Sequence, residues 1–177
     1  MSQPGILAAA PERRIVRDGV SHWVGWYYDI WEALPQVRSG LFGRGVVVVN
    51  RSGQMRLNAL PALLADDFLA SEAFRAHERC VVPEARVVIR PPKRMVDLLK
   101  RRVRVATGVA QVDQLSLRSS ESRTTMRTLL ELARDQPRLI ARLPVFVGVT
   151  LVARRRAAKA VAAGDYSTWQ RDESSRK

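Results

Sequence analysis

Three groups of residues have the types and spacing to do chemistry. Asp66 and Asp67 are adjacent carboxylates in residues 62–74, a segment that reads as helical. At a helix start such a pair either caps free N–H groups and complements the helix dipole, or acts as a proton acceptor. Arg101, Arg104, Gly108 and Gln111 follow at spacings of three, four and three, which places them along one helical stripe. Guanidinium groups suit bidentate contacts to phosphate or carboxylate, although an arginine-rich face is also how a helix meets water. Gly43-Arg44-Gly45 precedes a β-branched run and, taken alone, reads as a turn.

The elements that must position these groups can be read from periodicity and punctuation. Residues 22–34 predict a helix with Trp23, Trp26, Tyr27 and Ile30 on one face, ended by Pro35. Residues 46–49 read as a buried strand, 51–54 as a turn, and 81–90 as another extended run closed by Pro91-Pro92. The first dozen residues show no clear period. From residue 93 the pattern is helical throughout. The first helix, over 93–115, has Val96, Leu99, Val103, Ala106 and Ala110 on one side. A second spans 119–134, capped at Ser119 or Ser120, and a third spans 138–163, kinked at Pro144 and stopped by Gly164. The tail is polar except for Tyr166 and Trp169. The expected organisation is a mixed α/β part over 1–92 and an all-helical part over 93–177.

Composition narrows the partners. The 177 residues carry a net charge of +13, mostly from arginine, which favours polyanions: phosphorylated ligands, an anionic membrane surface or nucleic acid. Nucleic acid is the least favoured, because the aromatics lie in the N-terminal third, away from the basic cluster at 86–104, and no nucleic-acid motif accompanies it. Cys80 is the single cysteine, which excludes an intrachain disulfide and a cysteine-based zinc site and fits a reducing cytoplasm. No signal peptide is evident, and the longest apolar stretch, 143–153, is about half of the roughly 20 residues a membrane span needs. That stretch precedes Arg154-Arg155-Arg156, so it could instead lie on an anionic interface.

In their order and spacing, Gly43-Arg44-Gly45, Asp66-Asp67 and Arg101-Arg102-Val103-Arg104-Val105-Ala106-Thr107-Gly108 resemble the C-terminal half of inverting family 2 glycosyltransferases of the GT-A fold. The likeness extends through Tyr27-Tyr28-Asp29-Ile30-Trp31, Leu34-Pro35, Leu41-Phe42 and Trp169-Gln170-Arg171-Asp172-Glu173-Ser174-Ser175-Arg176, segments similar to actinobacterial members. The resemblance implies an α/β fold: the C-terminal portion of a GT-A-type mixed sheet with flanking helices, then an all-helical segment. It implies that Asp67 is the catalytic base with Asp66 beside it, and that Gly43, Arg44 and Gly45 line the acceptor site. It places Arg101, Arg104, Gly108 and Gln111 at the donor diphosphate. Arg101 stands where the family motif has glutamine and Val105 where it has tryptophan, which favours addition of a single sugar over polymerisation.

The resemblance also implies a nucleotide-sugar, a hydroxyl acceptor and a divalent metal, Mg or Mn, held by an Asp-x-Asp motif. No Asp-x-Asp occurs in this sequence, and His22 and His77 do not replace it. The expectation is therefore an acceptor-side half whose donor-binding half is absent, either a truncated enzyme or one whose donor half is a separate polypeptide. A half sheet of this kind is expected to expose an edge and to be unstable without a partner. An inactive remnant is the competing expectation, as is a basic protein of the membrane surface. The expected location is the cytoplasm, with peripheral association on the inner face of the membrane as an extension.

Overall fold

The computed structural model describes residues 5–61 and 66–163. The chain enters on β1 (Ala8–Ile15), in the segment that showed no period. It is the middle strand: β2 (Val48–Val49) pairs with it antiparallel and β3 (Arg79–Ile89) pairs with it parallel. Ala8, Ala9 and Ala10 are buried, although alanine has little preference for strands; packing, not local propensity, makes this one. Just before them the chain passes close to α3 (Arg51–Asn58). A Cβ on Gly53 in the first turn of α3 would stand 2.6 Å from the Leu7 carbonyl oxygen. The β1–β3 register jumps between Pro11 and Glu12, which face Val82 and Arg86. Pro11 and Pro83 both lack an N–H, so the ladder cannot run unbroken there.

Between β1 and β3 come α1 (His22–Ala33), α2 (Pro35–Ser39), β2, α3 and α4 (Asp66–Glu72). Pro35 ends α1 as expected and also opens α2, because its missing N–H is not needed in a first turn. The expected apolar face of α1 is corrected. Val24, Tyr27, Tyr28 and Ile30 are buried, whereas Trp23 is 57% exposed. Three- and four-residue spacing fits two neighbouring stripes, and packing on α7 selects the one through Val24 and Tyr27.

Two further readings change. The run at 46–49 is not a buried strand: only Val48–Val49 pairs, at the sheet edge, and Val46 and Val48 are both more than half exposed. The expected turn at 51–54 is the first turn of α3. Asn50 Oδ1 accepts from the Gly53 N–H at 2.8 Å, capping the helix, while Asn50 Nδ2 donates to the Ile6 carbonyl at 3.2 Å. The extended reading over 81–90 corresponds to β3.

After β3 the described chain is helical, as the shift near residue 93 predicted: α5 (Met95–Gln114), α6 (Met126–Asp135), a 3-10 turn (Pro137–Arg142) and α7 (Leu143–Ala162). The buried stripe of α5 is Leu98, Val103, Thr107, Gly108 and Val112; Val96 faces solvent. The second helix starts later than expected. Thr125 caps it by accepting from the Thr128 N–H at 3.1 Å, and the Ser119 N–H goes to Glu72 Oε2 at 2.6 Å instead. Pro144 does not kink a long helix; it sits in the first turn of α7, where it breaks no hydrogen bond. The expected stop at Gly164 and the tail at 165–177 lie outside the described residues. The largest core cluster joins Tyr27 and Ile30 of α1 to Leu98 of α5, Leu132 of α6 and Phe146 of α7, so the helical segment packs directly on α1.

Candidate active site

Asp67 lies in the first turn of α4, and its carboxylate does more than cap. Oδ1 accepts from the Phe68 N–H at 2.8 Å, while Oδ2 accepts from the Gly43 N–H at 2.9 Å. Asp66 Oδ1 accepts from the Asp67 N–H at 2.8 Å. One turn along α4, the buried Ser71 Oγ accepts from the Leu41 N–H at 3.0 Å. Asp67 and Ser71, four residues apart, share a helix face and hold alternate N–H groups of the loop at 41–43. Between them Phe42 meets Phe68 edge to face at 5.5 Å. The loop can present its N–H groups this way because Gly43 and Gly45 have φ of 64° and 74°, values that glycine takes without cost.

Arg44, between those glycines, turns inward. Its guanidinium donates to the carbonyls of Gly40 and Arg38 at 2.8 Å, Pro11 at 2.8 Å and Val37 at 3.4 Å. It is 2% exposed. Three of those carbonyls belong to the end of α2, where a helix leaves acceptors unmatched, so Arg44 closes α2 onto β1.

Arg13 was not singled out in the sequence, yet its guanidinium packs against this loop. Nη2 donates to the Val37 and Phe42 carbonyls at 3.0 and 2.9 Å, and the guanidinium lies 4.7 Å from the centre of the Trp31 ring and 5.6 Å from that of Phe42. A Cβ on Gly43 would stand 3.8 Å from Nη1. Burial pulls Arg13 down to about 9, with the charge of Arg44 adding to the effect and those of Glu32 and Asp67 opposing it. It therefore remains a cation at neutral pH. Strand β1 supplies this group, and a strand without a sequence period gave no sign of it.

The α5 residues are arranged as their spacing predicted. Arg101, Arg104 and Gln111 are half-buried and Gly108 is buried. Val112 packs with Phe68 and Leu69, and Val109 lies against the same cluster, so the C-terminal third of α5 adjoins α4. Arg104 lies five residues before Val109, roughly 8 Å along the axis, and Arg101 another turn earlier. Both arginines thus lie earlier on α5 than its contact with α4. Arg102 lies with its guanidinium 5.6 Å from the Tyr27 ring, and the charge of Arg101 also acts on Tyr27.

No group of three or more His, Cys, Asp or Glu side chains among the described residues could hold a metal ion. Among the described residues no helix is long and apolar enough to cross a membrane.

No protein-family model matches this chain, and neither does any curated protein or solved structure.

Proposed function

We propose that this chain supplies the acceptor side and the catalytic base of an inverting sugar transfer from a nucleoside-diphosphate sugar to a hydroxyl. The observation that carries the reading is the hydrogen bond from the Gly43 N–H to Asp67 Oδ2, which unites two of the three groups singled out in the sequence. Each carboxylate oxygen has two lone pairs, so Asp67, held by two N–H donors, still has acceptor capacity for an acceptor hydroxyl. The hydroxyl oxygen attacks the anomeric carbon, its proton passes to Asp67, and the bond from that carbon to the diphosphate breaks as the nucleotide leaves. Arg101 and Arg104 are the groups assigned to the charge that develops on the diphosphate. Gly43 and Gly45 line the acceptor approach, and Arg44 holds their loop instead of touching substrate. A mixed sheet with flanking helices followed by an all-helical segment supports reading the fold as the C-terminal portion of a GT-A-type sheet. The donor sugar's nucleotide-binding half is assigned to a separate polypeptide.

A second reading has an observation in its favour. The paired contacts of Asp67 and Ser71 to the loop at 41–43 are also what a purely structural latch would make. The readings separate by assay. The chain is incubated with nucleotide-sugars and hydroxyl acceptors, with and without Mn²⁺, in the presence of lysate from its source. Nucleoside diphosphate released in step with a glycosylated product, and dependent on this chain, supports transfer. Release that is unchanged by adding the chain leaves only the latch.

A further inference from the structure

The outer face of α7 has a composition that the transfer chemistry does not use. The helix carries Arg154, Arg155, Arg156 and Lys159 and no acidic residue. All four are exposed, and none takes part in an ion pair among the described residues. Seven arginines elsewhere pair with carboxylates, Arg17, Arg56, Arg86, Arg118, Arg123, Arg127 and Arg142, while others such as Arg14, Arg90 and Arg94 are exposed without an ion pair among the described residues; what sets α7 apart is four such cations on one helix that has no acidic residue. Apart from its cations, every exposed position on α7 is apolar or small. Leu151 and Val152 are 50% and 38% exposed, one turn before the arginines, while Phe146, Val149, Ala153 and Ala157 face the core.

An exposed tryptophan stands at the same level. Arg142 Nη1 contacts Asp29 Oδ2 at 2.6 Å, and one turn on, Phe146 stacks on Tyr27 with ring centres 5.1 Å apart. Advancing along α7 therefore moves back along α1, so the helices run antiparallel. Trp23, one turn before Tyr27, comes level with the turn of α7 that holds Val149 to Ala153. It packs edge-on against Trp26 at 5.3 Å and keeps most of its surface in solvent.

We propose that this face, made of the outer side of α7 with Trp23 beside it, docks on an anionic lipid bilayer. The unpaired cations would meet lipid phosphates, Leu151 and Val152 would enter the interface, and an indole prefers that depth because it joins an apolar body to a polar N–H. A nucleic acid would take the charge but not the apolar side chains, and this face offers none of the amide or hydroxyl groups that read bases or sugars. The bilayer is the occupant that uses both. The proposal does not depend on the sugar-transfer reading.

The test is co-sedimentation of the purified chain with vesicles of phosphatidylcholine alone or mixed with phosphatidylglycerol, alongside binding to random-sequence duplex DNA. Partition that requires phosphatidylglycerol is expected. Each arginine removed should weaken it about fivefold, so the Arg154→Gln/Arg155→Gln/Arg156→Gln variant loses on the order of 100-fold. Leu151→Ser should weaken it several-fold with an unchanged melting temperature. Equal partition onto neutral vesicles, wild-type binding by the triple variant or by Leu151→Ser, or binding to DNA without binding to anionic vesicles would each overturn the proposal.

Discussion

The backbone N–H of Gly43 lies 2.9 Å from Oδ2 of Asp67, joining a glycine turn after α2 to the first turn of α4. The contact depends on a left-handed residue at 43, φ 64°, because that conformation turns the N–H toward the helix. A Cβ at this position would meet Arg13 Nη1 at 3.8 Å and Trp31 at 3.9 Å, ordinary contact distances.

Gly43→Ala should therefore cost the backbone penalty without a clash, about 1–2 kcal/mol. In a chain of this size that lowers the melting temperature by roughly 2–8 °C. Differential scanning calorimetry checks it. If alanine keeps the turn, sugar transfer persists; if it relaxes toward negative φ, the Asp67 contact and transfer are lost together.

Arg44 donates to four carbonyls and is nearly sealed from water. Lysine there would deliver a point charge in place of a planar fork and leave carbonyls unmatched. Arg44→Lys is expected to cost about 3 kcal/mol. A urea titration would show a lower midpoint at an unchanged slope. Activity measured per folded molecule should stay near wild type, because Arg44 holds the loop without touching substrate.

Tyr27 is buried, its hydroxyl has no protein partner, and burial pushes it up to about 12 against the opposing charges of Arg102 and Arg101. The sign follows from linkage. Folding favours the neutral phenol, so its contribution is complete below the unfolded value of about 10 and is lost as pH rises toward 12. Tyr27→Phe should remove this part of the alkaline loss. At neutral pH it should leave stability unchanged or raise it by up to about 1 kcal/mol, since an unpartnered hydroxyl is removed. Denaturation curves at neutral pH and near pH 11 test both statements.

Where a residue signals through its own backbone constraint, the sequence was legible. Pro35 marks the break after α1, the run at 81–90 is β3, and the turn to helices comes after Pro91-Pro92. The errors arose where a distant contact decides. Ala8 to Ala10 form the central strand through pairing with β2 and β3 and burial in the core, and no local pattern reports that. Residues 51–54 read as a turn, yet Asn50 both caps α3 and holds Ile6, which commits the chain to a helix. The site divides in the same way. Spacing placed Arg101, Arg104, Gly108 and Gln111 on one stripe, but the union of Asp67 with Gly43 spans 24 residues and needs the folded loop. Arg13, on the unrecognised strand, was out of reach for that reason.

The central claim is that Asp67 takes a proton during sugar transfer, and Asp67→Asn tests it most directly. Asparagine keeps the shape and a carbonyl oxygen for the Gly43 N–H, gives up the contact from the Phe68 N–H, and cannot act as the base. In the assay with source lysate, which supplies the donor-binding half, the rate of transfer at saturating nucleotide-sugar should fall by about 10²–10⁴-fold. The melting temperature should fall by no more than a few degrees, for the lost Phe68 contact. Transfer at the wild-type rate by a folded Asp67→Asn protein would contradict the claim.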